Sequence, residues 1–229
     1  MLSEIDQNQA ENLPAEATEG RGILFVVSSP SGGGKGTLIQ RVLNKVPNLS
    51  YSVSFTTRAP RSGEVNGREY FFITPGEFRK MAAADEFLES ATVHNHLYGT
   101  ARKQVAQEIA AGRDIVLEVD VQGAASVRQL MSDSVSVFIL PPSFEVLKTR
   151  LTARGTDSPE ELDVRLRNAP VELKDYSAFQ YVIINDDAEL AANQLAAIVF
   201  AERARLSRQE RKVRNVVEAF MAKEEGNSI

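Results

Sequence analysis

The 229-residue chain contains no cysteine. This excludes a disulfide framework, a thiolate metal site and a thiol nucleophile. Nor does any apolar run approach the roughly 20 residues needed to span a bilayer. The first residues lack the basic-then-apolar layout of a secretory leader, so the default expectation is a cytoplasmic protein without membrane contacts. Positive charge is missing from residues 1–20, which hold Glu4, Asp6, Glu11, Glu16 and Glu19 but neither Lys nor Arg. Polar, acidic and poor in branched apolar side chains, they read as a disordered acidic extension, with an interaction role left open. The net charge of −5 resides there: of 31 acids, these five set aside leave 26, matching the 26 Lys and Arg. The content of 43% hydrophobic and 25% charged residues suits a soluble domain with one good core and small inserted lobes.

What is present begins at Ile23. The segment ILFVVSSPSGGGKGT passes from an apolar strand (Ile23 to Val27) into a glycine-rich turn, a lysine and a threonine. Ser31, Gly32, Gly33 and Gly34 let backbone N–H groups curl around an anion, and a helix beginning near Lys35 aims its positive end at the same point. Lys35 supplies a mobile charge for the β- and γ-phosphates. Thr37 supplies a hydroxyl for Mg²⁺, directly or through water, or for a phosphate oxygen. The loop departs from the usual P-loop at Ser29, where the first glycine belongs, and at Gly36, where Ser or Thr is usual.

Beyond the loop, YSVSFTTR alternates as a strand, turns follow at Gly63 and Asn66-Gly67, and Tyr70 to Ile73 resumes a strand. Thr74-Pro75-Gly76-Glu77 and Ser158-Pro159-Glu160-Glu161 are capping boxes, and Thr100 is a further capping candidate with Gly112 as that helix's stop. Residues 114–121, 134–140 and 181–185 read as strands buried on both faces, and 188–223 as one long helix. Pro170 is expected to end or kink a helix. The alternation predicts an α/β fold with a parallel sheet between two helical layers and a ligand at the carboxyl ends of its strands. The core comprises 21–51, 100–142 and 171–229. Two stretches read as inserted lobes: 52–99, with short antiparallel strands and a helix, and 143–170, a charged helical hairpin.

Arg58, Arg61 and Arg68 fall within eleven residues, interleaved with Ser54, Thr56, Thr57 and Tyr70. Guanidinium forks with hydroxyls suit a phosphate. Taken alone, such a patch fits a solvated loop equally well. Glu118 and Asp120, two apart at the end of an apolar strand, call for a cation, a metal or hydrogen-bond donors.

SSPSGGGKGT, SVSFTTRAPRSGEVNGREYFF, EFLESATVHNHLYGT, VLEVDVQGA, FILPPS, RGTDSPEELDVRL and VIINDD occur in the order and spacing of the motifs of guanylate kinases. The chain resembles that family over residues 21–210, and AERARLSRQ resembles its bacterial members. The resemblance implies a P-loop NTPase fold, with 52–99 binding GMP and 143–170 acting as a lid. It also implies transfer of the γ-phosphoryl group of ATP to GMP, with dGMP as a further acceptor and Mg²⁺ as cofactor. In the GMP site it places Arg58, Arg61, Tyr70 and Tyr98 on the phosphate and Glu89, Ser54 and Thr100 at the base, with Asp120 nearby. Catalytic charge would come from Lys35, Arg58 and the lid arginines Arg150, Arg154 and Arg165, with Arg167 close by. The ATP site would comprise residues 31–37 of the loop, with Asn185 and Asp186 on the adenine side. The family usually has aspartate at both acidic positions, so Glu118 is a departure whose role stays open.

Gly-Lys-Gly-Thr is also the adenylate kinase form of the loop, but TTRAPRSGEVNG and Glu89 speak against that rival. A noncatalytic binding module of the same family tends to lose the lysine or arginines kept here. No Asn-Lys-x-Asp motif of GTPases is present. Arg203, Arg205, Arg208, Arg211, Lys212 and Arg214 accompany apolar residues at helical spacing, which fits a packed helix with a basic outer face better than nucleic-acid binding. That helix leaves self-association open. If Lys35 serves the phosphates, Lys35→Ala lowers kcat by about a hundredfold or more at an unchanged unfolding midpoint. A mild loss in steady-state assays would dismiss the role.

Overall fold

The computed structural model describes residues 20–93, 95–153 and 158–226. The acidic residues 1–19, His94 and Arg154 lie outside the described residues. The central strand β1 (Leu24–Ser28) is buried along its whole length. It lies between β7 (Asp114–Glu118) and β8 (Val135–Leu140), and β2 (Leu49–Tyr51) and β9 (Tyr181–Ile184) complete a five-stranded sheet of order β2-β7-β1-β8-β9. All its pairings are parallel. Parallel strands need crossovers, and the helices that make them cover both faces.

Alternation along β1 sends its side chains to two different layers. Phe25 and Val27 pack with Leu38, Ile39 and Val42 of α1 (Lys35–Lys45) and Leu195 and Val199 of α7 (Ala188–Arg203). Leu24 and Val26 face Val105 and Ile109 of α3 (Arg102–Ala110) and Val127 of α4 (Val121–Leu130). The result is the expected helix–sheet–helix sandwich. Val27 is level with Glu118, and Ser28 with Phe138, so the strands end together beneath the glycine-rich turn.

A second sheet, of order β4-β3-β6-β5, joins β3 (Phe55–Thr56), β4 (Phe71–Phe72), β5 (Phe87–Val93) and β6 (His96–Ala101). β5 and β6 form an antiparallel hairpin, but β3 and β4 are parallel, contrary to the expectation of antiparallel strands throughout. With α2 (Pro75–Ala83) the sheet encloses a small aromatic core, in which Phe78 stacks on Phe87 at 4.4 Å and Phe55 on Phe71 at 4.8 Å. Leu88 ties this lobe to the main core.

The hairpin of α5 (Phe144–Ala153) and α6 (Pro159–Leu173) is closed by Leu147, Leu151 and Ala169. α6 runs through Pro170 to Leu173 rather than stopping there. Burial of Ala169 in the hairpin core holds the turn that the proline deprives of one hydrogen bond. The expected boundaries at 99/100 and 170/171 therefore fall within β6 and α6.

Both capping boxes form as predicted, at Thr74 with Glu77 and at Ser158 with Glu161. Thr100 is no cap: it lies in β6, and α3 starts after Ala101 without a side-chain cap. Strand β7 stops at Glu118, so Asp120 lies past the strand and its carboxylate caps α4 by accepting from Gly123 N at 2.8 Å. β9 is an edge strand, with Ile183 turned into the layer of α1 and α7 and with Val182 and Ile184 exposed on its other face. The single long C-terminal helix is two, α7 and α8 (Leu206–Gly226), separated at Ala204-Arg205. No helix among the described residues is long and apolar enough to cross a membrane.

The start of β1 is fixed by a buried carboxylate. Asp114 accepts from Ile23 N at 2.7 Å and from Arg203 Nε at 2.6 Å, joining β1, β7 and α7. Asp114→Ala leaves both donors short of a partner and should cost about 2 kcal/mol of unfolding free energy in urea titrations. A loss within the error of the wild-type value would show the tie to be dispensable.

Candidate active site

The glycine-rich turn between β1 and α1 is held open from below. Gly34 caps α1 with φ +94°, a conformation that L side chains rarely adopt, and any Cβ there would stand 2.4 Å from Asn185 Nδ2. That amide nitrogen donates to Gly33 O at 2.9 Å, and Arg150 Nη2 donates to Asn185 O at 2.9 Å. Gly33 O is thus engaged from beneath, while Gly33 N closes the turn onto Pro30 O at 2.9 Å. Lys35 rests with Nζ 3.4 Å from Ser29 O.

Above the loop opens a cleft of about 220 Å³ that reaches from the glycine turn to the second sheet. Residues 31–36 of the loop line one end, and Ser54, Arg58, Arg61, Tyr70, Glu89 and Tyr98 line the other. Asp120 and Arg165 also face it. Five residues named from sequence lie elsewhere. Thr37 is exposed on α1, Asp186 is exposed after β9, Thr100 is fully buried behind Glu89, and Arg150 and Asn185 brace the loop from outside the cleft. Arg68 turns to solvent against Glu69 and Gly63 O. Arg167 pairs on the exposed face of α6 with Asp163.

At the far end Glu89 is 7% exposed, on a strand rather than a helix surface. Thr100 Oγ1 donates to Glu89 Oε1 at 2.6 Å, and Ser54 Oγ lies 3.4 Å from the same hydroxyl. The other carboxylate oxygen passes over Gly123, where a Cβ would approach it to 2.8 Å. Burial pushes the Glu89 carboxyl up to about 7, the Thr100 hydrogen bond opposing the shift and the Asp120 charge adding to it.

Arg58 lines the same end as Glu89. Its guanidinium makes a fork onto Glu64, with Nη1 at 2.9 Å and Nη2 at 2.8 Å, and packs beside the rings of Tyr70 at 5.4 Å and Phe72 at 5.7 Å. Glu64 also accepts from Arg61 N at 2.7 Å. Burial acts against ionisation of Glu64, yet the Arg58 bonds prevail and hold its carboxyl below the ordinary range. Burial, with the Glu118 charge adding to it, pushes the Tyr70 hydroxyl upward, so it stays a donor at neutral pH.

Two acids and a tyrosine, Glu64, Glu172 and Tyr51, escaped sequence reasoning. Glu64 carried a signal, standing three residues after Arg61 in a turn, where a carboxylate can serve both arginines. Glu172 carried none: its Oε2 accepts from Ser31 N at 2.9 Å across 141 residues of chain. Beside it Arg165 Nη1 donates to Ser31 Oγ at 3.2 Å, so α6 touches the loop twice. Tyr51 donates to Glu118 at 3.3 Å, and Glu118 stands 3.7 Å from where a Cβ on Gly36 would be.

The sequence model of the guanylate kinase family matches residues 21–202. The chain belongs to the guanylate kinase family. It is 52% identical over 180 residues to the guanylate kinase of Dechloromonas aromatica (strain RCB), covering 79% of this chain and 89% of that protein. It is 48% identical over 189 residues to the guanylate kinase of Koribacter versatilis (strain Ellin345), covering 81% of each. Among solved structures, guanylate kinase from Anaplasma phagocytophilum superposes with a TM-score of 0.71 at 33% identity, over 83% of this chain and 91% of that one. Membership of the guanylate kinase family accounts for a cleft with a phosphate loop at one end and an acid among arginines at the other.

The Glu89 carboxyl is expected to titrate near pH 7 in carbon NMR of the ligand-free protein. A folded-state value above the unfolded one means that this group's contribution to stability falls as pH rises from about 4.5 to 7. Thr100→Val should move the midpoint higher, and a midpoint near that of an exposed glutamate would refute the burial argument.

Proposed function

We propose that the chain transfers the γ-phosphoryl group of ATP to the α-phosphate of GMP, releasing ADP and GDP, in the cytoplasm. The observation that carries this reading is the single cleft joining the loop amides of residues 32–36 to Arg58, Arg61 and Glu89. ATP phosphates take the loop end, where Lys35 turns from Ser29 O to the β- and γ-oxygens. GMP takes the other end. Guanine offers N1–H and N2–H₂ as adjacent donors, and the ionised Glu89 accepts both, whereas adenine presents an acceptor at N1. Thr100 holds the carboxylate in place rather than meeting the base, and Ser54 lines the cleft next to it.

Arg58 and Arg61 bind the GMP phosphate with the hydroxyls of Tyr70 and Tyr98. Such an acceptor is largely a dianion at neutral pH, its second pKa being about 6, so no general base is required. Catalysis then consists of alignment and charge neutralisation by Lys35, Arg58 and Arg165. Arg154 belongs to the same lid segment, and Arg150 acts on the loop through Asn185. Asp186 is assigned to the adenine side of the ATP site. Residues 52–99 form the GMP lobe and 143–170 the lid that excludes water.

Mg²⁺ is the proposed cofactor. Among the described residues no cluster of three His, Asp or Glu side chains forms a metal cage. The carboxylates of Glu118 and Asp120, which line the cleft, would hold such an ion through its waters, as would the Thr37 hydroxyl on the first turn of α1. When bound, it would supply positive charge that neutralises the phosphates of the donor nucleotide.

The deciding measurement is ADP release from ATP–Mg²⁺ with GMP, AMP, CMP and UMP offered separately. Turnover with GMP alone is expected. As pH falls below 7, KM for GMP should rise toward about tenfold per unit while KM for ATP stays flat, because guanine needs the ionised Glu89. Turnover with AMP would overturn the Glu89 assignment, and no turnover from folded protein would make the cleft a binding site only.

A further inference from the structure

Helix α8 leaves an apolar stripe uncovered. Val213, Val216, Val217, Phe220 and Met221 recur at helical spacing, and all are exposed, Phe220 at 71%. Lys212 and Arg214 border the stripe, with Arg208 and Arg211 beyond them, against Glu210 as the one acid from Leu206 to Val217. A long stripe of this kind on a protein surface marks a contact.

We propose that the acidic residues 1–19 of the same chain lie along this face of α8. The chain reaches the helix where those residues join the fold. Gly22 N is anchored on Ile109 O at 2.9 Å, and the position of a Cβ on Gly20 lies 3.9 Å from Arg211 Nη2. From there, nineteen residues can span up to about 60 Å. The path from Arg211 to Met221 along the helix needs only about 15 Å. Charge is complementary: Glu4, Asp6, Glu11, Glu16 and Glu19, with no base among them, meet Arg208, Arg211, Lys212 and Arg214. Leu2, Ile5 and Leu13 are the apolar side chains available to the stripe. A tethered segment acts at an effective concentration on the order of millimolar, so it occupies the face ahead of a second copy at micromolar protein.

The test compares the full chain with a variant lacking residues 1–19, by amide hydrogen exchange over 213–221 and by sedimentation. Deletion should speed exchange there by about fivefold or more, and the synthetic 1–19 peptide should restore protection less well in 0.5 M than in about 0.05 M salt. The triple change Arg211→Glu, Lys212→Glu, Arg214→Glu in the full chain should mimic the deletion. None of these residues faces the cleft, so kinase turnover reports that each variant is folded. Exchange unchanged by deletion would overturn the proposal. Protection that instead follows protein concentration, with a dimer in sedimentation, would assign the face to a second copy and overturn it equally.

Discussion

A peptide carbonyl that points toward a phosphate repels it. The geometry of the glycine turn therefore depends on where Gly33 O goes. Asn185 takes that carbonyl from below, Gly34 supplies the left-handed turn that brings the next amides upward, and Arg150 fixes the backbone of Asn185 in turn. Three distant parts of the chain are thus linked in series through Asn185: the turn after β1, the end of β9 and helix α5. The sandwich beneath brings β1 and β9 to the same edge, since β8 alone separates them and the strands are all parallel.

The opposite half of the cleft obeys a different constraint. A carboxylate must be buried to exclude water from the base, yet burial favours its neutral form. Glu89 is held in balance by one short hydroxyl bond and by the space over Gly123. Leu88, adjacent in sequence, is buried in the main core, so Glu89 is set beside the lobe's anchor.

Local patterns were legible in the sequence wherever the physics is local. The phosphate loop, both capping boxes, the buried strands β1, β7 and β8 and the alternating layers all follow from neighbouring residues. Arg58, Arg61, Tyr70, Glu89 and Tyr98 were legible as a group through the motif resemblance, and they share one cleft. Contacts across long stretches of chain were not. Asn185 also braces the glycine turn, a contact across 152 residues of chain that no local pattern signals. Thr100, expected as a helix cap, lies in β6 and donates its buried hydroxyl to Glu89. Glu172 meets Ser31 only because α6 folds back over the loop. The long C-terminal helix was misread because Ala204-Arg205 carries neither Gly nor Pro, so nothing local signals its break.

The ion pair between Arg58 and Glu64 has a consequence for discrimination among anions. Before any ligand arrives, the guanidinium already has a carboxylate partner with fork geometry and a side-chain exposure of only 11% against 17%. An incoming phosphate must therefore share or displace an internal counter-ion instead of filling an electrostatic vacuum. A small free anion has only its charge to offer in that exchange, whereas a nucleotide bound as proposed would bring a base with hydrogen bonds of its own. The internal carboxylate thus sets a threshold that any anion competing for Arg58 has to exceed.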